Sequence, residues 1–316
     1  MALHLATFKT RTLTAIVFVV IMLVGLLWNH WSFFLLFSII HFGCWLEYQK
    51  LIGLIDEEYS QITPFHKYGV MIAGWCILLY FTNDAFRIFG VRLHAMGWWL
   101  GLVFVFVLPL IELLFASNIR LKNIGYSAAG LVYISLSFGL MIDLRSQGIG
   151  ELFGSKFDVG WVIPLMIIAS IWINDTMAYI VGSLIGKTPF SKISPKKTWE
   201  GTIGGMILAI LVIGFVFPAI VDYYLQDGFA TPPGTHEFIF IRDEGTVLQT
   251  GYHWFVIPAI AAIAGTAGDL LESKLKRMAN VKDTGHIMPG HGGFLDRFDS
   301  LLIAIPFVWL YVKIFL

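Results

Sequence analysis

The residues that could carry chemistry are concentrated near the end of the chain, beyond position 268. Four polar residues there share the spacing i, i+3, i+4 and i+7 of one helix face: Asp269, Glu272, Ser273 and Lys276. An apolar stretch precedes them. The four residues line one helix face if the helix of that stretch continues past Leu271. Mg²⁺ commonly binds one or two carboxylates together with substrate phosphates, and lysine or arginine binds phosphate oxygens. With Arg277 beside it, this stripe predicts a site for a metal ion and a phosphorylated substrate.

A second polar run follows, beginning at Lys282 and continuing through residues 289–299, Pro-Gly-His-Gly-Gly-Phe-Leu-Asp-Arg-Phe-Asp. The glycines after His291 permit a positive φ and a close approach of the backbone, so their N–H groups could form a nest for an anion. Asp296 and Asp299 are three residues apart and can share a helix face as further ligands.

Each of these features also has a structural interpretation. Basic residues at the end of a membrane helix anchor it to anionic headgroups, Gly-Gly pairs form turns, and Asp-Arg pairs form surface ion pairs. For each feature taken alone, the structural interpretation is favoured. Their combination between Asp269 and Asp299, beside helices nearly devoid of charge, favours a site for a metal ion and a polyphosphate.

An earlier segment carries the same residue types. Asp175 lies inside an apolar run, roughly 10 Å below the predicted interface, where a charge is costly unless it is paired or lines a wet cavity. Lys196, Lys197 and Thr198 could contact a triphosphate, or the lysines could serve only to orient the span. The glycine-rich stretch 182–188 is not a P-loop, because three residues rather than four separate its glycines and a membrane helix precedes it.

Two windows of the sequence resemble the signature of the phosphatidate cytidylyltransferase family. The later window matches at these positions, with the spacing intact: Ser273, Lys276, Arg277, Lys282, Asp283, Gly285, Pro289, His291, Gly292, Gly293, Asp296, Arg297 and Asp299. The earlier window matches at these: Asp175, Thr176, Ala178, Tyr179, Ser194, Pro195, Lys197, Thr198, Glu200 and Gly201. Met177 and Met288 depart from the family pattern. The resemblance covers residues 170–300.

The resemblance implies that the phosphate of phosphatidic acid attacks the α-phosphorus of CTP, giving CDP-diacylglycerol and pyrophosphate. It implies Mg²⁺ at two divalent sites, or at one divalent site beside a monovalent cation. Asp269 and Asp296 would be the principal ligands, and Asp175 and Asp299 would support them. The expected catalytic residues are Asp269, Asp296, Lys276, Arg277, Lys282 and His291. The expected substrate contacts are Ser194, Lys197, Thr198, Ser273, Gly292, Gly293 and Arg297.

The elements that must position these residues are membrane helices. The chain is 57% hydrophobic and 13% charged, against about 25% charged in soluble domains, and its mean hydropathy is +0.77. Nine apolar runs approach the ~20 residues that a helix needs to cross a bilayer. They lie near residues 12–28, 32–52, 68–83, 95–115, 124–142, 160–182, 201–221, 253–271 and 300–316. The sequence therefore predicts an all-α polytopic membrane protein.

The charge distribution predicts the orientation of these helices. With the N-terminus in the cytoplasm, 15 of the 21 lysines and arginines fall in cytoplasmic segments, as the positive-inside rule requires. Nine spans then place the C-terminus outside. We expect a multi-pass protein of the cell inner membrane with its active site at the cytoplasmic face. Helices of residues 1–150 would precede a catalytic region, 151–316, within one membrane domain.

Other residues leave alternatives open. Glu47 and Glu112 lie in predicted spans, where an ionisable group is a functional candidate or hydrogen-bonds a neighbour near a helix end. Cys44 and Cys76 lie in apolar runs, which predicts buried thiols without a disulfide framework. The small residues of 201–205 suit close helix packing, within the chain or between the subunits of a homodimer.

Two other functional classes compete with the enzyme. A transporter or channel with a charged cytoplasmic vestibule would use Asp175, Glu112 and the basic loops, but the inverted repeats common in transporters are not evident. An enzyme that consumes CDP-diacylglycerol would resemble a family with an Asp-Gly-x-x-Ala-Arg motif, which the chain lacks. A net charge of zero gives no reason to expect a nucleic-acid partner. CTP, phosphatidic acid and the bilayer are the expected partners.

Overall fold

Long apolar helices make up most of the structure. This computed structural model describes residues 5–115, 120–147, 149–152, 155–191, 193–225, 238–242, 245–249, 251–285 and 292–316. The helices in these ranges are α1 Leu5–Leu27, α2 His30–Ile55, α3 Pro64–Tyr80, α4 Leu93–Phe115, α5 Leu121–Gly130, α6 Ser137–Ser146, α7 Val162–Ile185, α8 Trp199–Leu225, α9 His253–Met278 and α10 Leu295–Phe315. A 3₁₀ helix, Glu57–Gln61, precedes α3, and a π-helical segment, Leu131–Leu136, joins α5 to α6. Helix occupies each predicted span position.

Seven of the described helical stretches are long and apolar enough to cross a membrane. They are His30–Ile55, Leu93–Phe115, Leu121–Ser146, Val162–Ile185, Trp199–Val221, His253–Met278 and Leu295–Phe315. The apolar part of α1 is shorter, Leu13–Leu27, and α3 has 17 residues. The chain is thus a helical multi-pass membrane protein, and the count of nine is not confirmed. The sides on which the termini lie stay a prediction.

The described chain is nearly all helical, as predicted, and short β-hairpins lie in the connections. The antiparallel pairs are β1 Arg87–Ile88 with β2 Val91–Arg92, β3 Ile149–Leu152 with β4 Ser155–Asp158, and β5 Phe238–Arg242 with β6 Gly245–Gln249. Phe89 and Gly90 both have positive φ, 49° and 80°, as the turn of a two-residue hairpin requires. Hydropathy finds spans and does not score two- to five-residue strands between them.

The described chain divides into two compact units. Unit 1 comprises residues 1–146 and 274–299, and unit 2 comprises residues 147–273 and 300–316. One boundary falls inside α9, between Ser273 and Lys274, and another falls inside α10. The predicted separation of helices 1–150 from a catalytic region stays a prediction.

In unit 1, α2 is held by polar contacts at its buried face. The indole N–H of Trp45 donates to Ser135 Oγ at 2.8 Å, and His41 Nε2 lies 3.0 Å from the same oxygen. Ser135 belongs to the π-helical segment, and such segments within α-helices are frequent at functional sites. A Cβ at Gly130 would lie 2.6 Å from the Trp45 ring, so glycine allows α5 to approach α2 closely. These contacts position α2 and its next turn, which carries Glu47.

Unit 1 contains Glu112 and both cysteines, residues of the apolar runs for which the sequence made predictions. Glu112 accepts a hydrogen bond from the Thr63 hydroxyl at 3.2 Å and lies 3.1 Å from His66 Nδ1. Glu112 thus bonds to neighbours, as one of the two alternatives predicted, and it lines an apolar cavity of about 550 Å³ between α3, α4 and α5. Cys44 and Cys76 are buried and free, as predicted.

In unit 2, α8 packs closely against α7 through its small residues. A Cβ at Gly205 would lie 2.6 Å from the Asn174 carbonyl oxygen, and one at Gly201 would lie 2.6 Å from that of Ala178. The small residues of 201–205 therefore pack against α7 of the same chain. This packing gives no support for the predicted homodimer. Because α7 and α8 are close, the loop between them is held at their shared end.

Candidate active site

The predicted polar stripe lies on a continuous helix. Helix α9 extends to Met278, which confirms that it continues past Leu271. Asn280 adopts a left-handed φ of 54°, and the Val281 N–H donates to the Lys276 carbonyl at 3.0 Å. This is a common helix-ending arrangement, and it places Lys276 and Arg277 in the last turn, where positive charge is favourable.

A cluster of two carboxylates and one ammonium lies in unit 2. The Lys197 ammonium contacts the Asp269 carboxylate, with the two side chains 31% and 26% exposed, so a ligand can reach both. Asp175 of α7 lies close enough to Lys197 and Asp269 for their charges to act on its carboxylate. Between α7 and α9, the Asn174 side-chain amide lies 3.4 Å from the Thr266 hydroxyl. We call Asp175, Lys197 and Asp269 the Lys197 cluster.

The loop before α8 positions Lys197. Glu200, in the first turn of α8, accepts hydrogen bonds from the backbone N–H groups of Lys187 and Thr188, both at 3.2 Å, and from the Thr188 hydroxyl at 2.9 Å. The Phe190 N–H donates to the Lys197 carbonyl at 2.7 Å. The loop is therefore folded onto the start of α8, and Glu200 holds its first residues.

Two more predicted substrate contacts belong to this loop. The Ser194 carbonyl accepts from the Lys197 N–H at 3.1 Å. Thr198 Oγ1 accepts from the Gly201 N–H at 3.2 Å, which is how a capping residue satisfies a free N–H at a helix start. Their contact with a substrate stays a prediction.

In unit 1, Asp296 accepts hydrogen bonds from three residues. Its Oδ1 accepts from Lys276 Nζ at 2.7 Å. Its Oδ2 accepts from the backbone N–H groups of Thr284 at 2.8 Å and Gly293 at 2.9 Å. The structure therefore brings together Lys276, Asp296 and the glycine turn of the predicted site.

Gly292 adopts a positive φ of 80°, a conformation that the glycines of this run permit. A Cβ there would lie 2.7 Å from Asp296 Oδ2, so glycine is required by conformation and by space. The Gly293 N–H is already bound to Asp296, and the contact of this turn with a substrate anion stays a prediction. His291 and Pro289 lie outside the described residues.

The remaining predicted residues differ in exposure. Arg277, Lys282 and Arg297 are exposed, Ser273 is partly exposed, and Asp299 is buried. Exposed guanidinium and ammonium groups can reach phosphates from solvent or from lipid headgroups.

Of the predicted metal ligands, Asp175 and Asp269 belong to unit 2, and Asp296 and Asp299 belong to unit 1. Within either unit, the described residues contain no group of three His, Cys, Asp or Glu side chains placed to hold a metal ion. Two carboxylates completed by substrate phosphates are, however, an ordinary ligand set for Mg²⁺. Asp175 and Asp269 fit that set, and Lys197 lies beside them. Asp296 and Asp299 stay predicted ligands.

Sequence reasoning missed two contributors to the unit 1 arrangement. Thr284 donates its N–H to Asp296, and its hydroxyl lies 2.8 Å from Glu47. Glu47 drew attention only as an ionisable group inside a span. Nothing in one sequence connects position 47 with position 284, so only the fold reveals the contact.

Comparisons with known proteins extend over nearly the whole chain. The sequence model of the cytidylyltransferase family matches residues 9–315. A phosphatidate cytidylyltransferase of Haemophilus influenzae is 30% identical over 326 residues, covering 95% of this chain and 96% of that protein. One from Staphylococcus saprophyticus is 27% identical, covering 94% and 96%, and one from Bacillus subtilis is 29% identical, covering 68% of each. The similarity therefore includes the first 150 residues, beyond the two windows.

Proposed function

The chain belongs to the cytidylyltransferase family, and on that premise we propose that it transfers CMP from CTP to phosphatidic acid. The products are CDP-diacylglycerol and pyrophosphate, so the protein is a nucleotidyltransferase of phospholipid synthesis. The observation that carries this proposal is the 30% identity to a phosphatidate cytidylyltransferase along 95% of the chain. The carboxylates and basic groups near the helix ends supply the chemistry that the reaction needs.

The reaction requires no covalent bond to the protein. An oxygen of the lipid phosphate forms a bond to the α-phosphorus of CTP, and the bond from that phosphorus to the bridging oxygen of the β-phosphate breaks. The electron pair leaves with pyrophosphate. The lipid phosphate is already an anionic nucleophile, so the protein contributes mainly orientation and charge neutralisation.

The Lys197 cluster fits the polyphosphate of the nucleotide. Asp175 and Asp269 would hold Mg²⁺, which when bound neutralises phosphate charge and polarises the phosphorus–oxygen bonds. Lys197 now pairs with Asp269 and would bind a phosphate oxygen when CTP is present. Asp296 and Asp299 are proposed as further ligands, with a second divalent or a monovalent cation.

Other residues are proposed to contact the substrates. The proposed phosphate contacts are Lys276, Arg277, Lys282 and Arg297. The proposed further contacts are Ser194, Thr198, Ser273, His291, Gly292 and Gly293. Their support is the family resemblance. Lys276 and Gly293 also bind Asp296, and Ser194 and Thr198 belong to the loop that carries Lys197.

The reaction also suggests where the site faces. CTP is dissolved in the cytoplasm and phosphatidic acid lies in the bilayer, so we place the site at the cytoplasmic face of the inner membrane. The excess of lysine and arginine in the segments that would lie inside supports this orientation.

Pyrophosphate release tests the proposal. Purified protein in detergent is incubated with CTP, a short-chain phosphatidic acid and Mg²⁺, and each component is omitted in turn. We expect release only when all three are present. Asp269→Asn should lower kcat about 100-fold, the scale seen when one electrostatic contact to a transition state is lost. No release by the folded wild-type protein would instead favour the transporter hypothesis.

A further inference from the structure

Glu47 of α2 is a buried carboxylate that binds the segment preceding α10. Its side chain is 6% exposed. Oε1 accepts from the Phe294 N–H at 2.9 Å, and Oε2 accepts from the Leu295 N–H at 2.8 Å. The first N–H groups of a helix have no partner within the helix and favour negative charge. Glu47 therefore supplies, from more than two hundred residues away, the acceptor that the start of α10 needs.

Two glycines make room for this carboxylate. A Cβ at Gly285 or at Gly293 would overlap the Glu47 side chain. Both glycines belong to the family motif, and the contact gives each a physical reason. The backbone on either side of residues 286–291 thus packs directly on one side chain of α2.

Thr284 connects Glu47 to Asp296. Its hydroxyl lies 2.8 Å from Glu47 Oε2 and 2.9 Å from Asp296 Oδ2. A hydroxyl has one hydrogen, so it donates to one carboxylate at a time. The other oxygen of Asp296 binds Lys276. A continuous polar path therefore runs from Glu47 through Thr284 and Asp296 to the Lys276 ammonium.

We infer that Glu47 is a positioning residue for the transfer reaction, acting through the Glu47–Thr284–Asp296 bridge. This inference rests on the proposed function. Glu47 is buried beneath the turn, so it acts on the substrates by fixing Asp296, Lys276 and the turn at Gly293. Burying a carboxylate is costly unless hydrogen bonds compensate it, and every described partner of Glu47 belongs to this segment.

The test compares kcat, KM and thermal unfolding of Glu47→Gln with those of Tyr48→Phe. Tyr48 is the adjacent residue of α2 and donates its hydroxyl to the Tyr126 carbonyl at 2.8 Å, away from the bridge. Each variant replaces a buried polar group of α2 by a side chain of nearly the same shape. We expect Glu47→Gln to lower kcat about 10- to 100-fold, the usual effect of losing a residue that orients a site residue through hydrogen bonds. The change in KM should be smaller. Tyr48→Phe should keep kcat and lower only the unfolding midpoint.

A second pair of variants tests the bridge where Glu47→Gln does not fold. Thr284→Ser keeps the hydroxyl and should keep kcat, whereas Thr284→Val removes it and should lower kcat as Glu47→Gln does. In the double variant the two losses should not add, because they break the same path.

Two results would overturn the inference. One is a folded Glu47→Gln or Thr284→Val protein with wild-type kcat. The other is a loss of kcat that merely parallels the loss of stability in Tyr48→Phe. Both leave the proposed function intact if the wild-type protein forms CDP-diacylglycerol. Absence of turnover in the folded wild type would remove the proposed function and the inference together.

Discussion

Lys197 and Asp269 show how a single residue pair can serve both the resting protein and the proposed reaction. A carboxylate near the membrane is costly when alone, and the ammonium of Lys197 compensates Asp269 in the absence of substrate. CTP brings negative charge that competes for the same ammonium. The pair is therefore expected to separate or rearrange when nucleotide and cation bind.

Replacing Lys197 by methionine tests this role. The substitution keeps most of the aliphatic stem and removes the charge that we assign to a phosphate oxygen. We expect kcat/KM for CTP to fall about 100-fold, with a smaller effect on KM for phosphatidic acid. Steady-state kinetics with each substrate varied in turn measure both values.

Lys187→Met is the matched control. Lys187 is an exposed lysine of the same loop, and only its backbone N–H contacts Glu200. It should retain wild-type kinetics. Equal losses in the two variants would mean that the loop needs positive charge in general, and would contradict a specific role for Lys197.

At the scale of elements, the contact between α7 and α8 decides where Asp175 and Lys197 meet Asp269. Gly205 faces the backbone of α7 so closely that a methyl group has no room. Gly205→Ala should therefore destabilise the protein by about 1–3 kcal/mol through overpacking and lower activity by shifting α7. Thermal unfolding in detergent and the pyrophosphate assay measure the two effects.

Gly125→Ala provides a control of opposite sign. Gly125 lies in α5, and a Cβ there meets nothing within 4 Å. Alanine is favoured over glycine in a helix by about 1 kcal/mol, so this variant should be neutral or slightly more stable. If both glycine variants behave alike, close packing at Gly205 does not explain its presence.

The sequence predicts features that depend on periodicity and local chemistry. It does not predict contacts that arise only when distant segments pack together. The spacing of Asp269, Glu272, Ser273 and Lys276 fits the helix that extends past Leu271, and the glycines after His291 permit the positive φ found at Gly292. The contacts of Glu47 with residues 284–295 depend on how α2 packs, which a single sequence does not encode locally. The hairpins were missed because hydropathy measures transfer into lipid rather than strand pairing.

At the scale of the whole molecule, the proposed reaction requires one orientation in the membrane. Cysteine replacing Lys187 should react with a membrane-impermeant thiol reagent only from the cytoplasmic side, and cysteine replacing Asp84 only from the opposite side. Asp84 is exposed and lies in the connection between α3 and α4.

The unsubstituted protein is the control for this labelling. Cys44 and Cys76 are buried, so the wild type should remain unlabelled from either side. Reaction of the two introduced cysteines from the reversed sides would refute the cytoplasmic location of the site.

The fate of the α-phosphorus of CTP decides whether the protein makes CDP-diacylglycerol. The purified protein is given CTP labelled at the α-phosphorus, phosphatidic acid and Mg²⁺, and the label is followed into the lipid extract while pyrophosphate is counted. We expect one labelled CDP-diacylglycerol for each pyrophosphate released. Label that stays in water-soluble CMP, or in unreacted CTP, would contradict it.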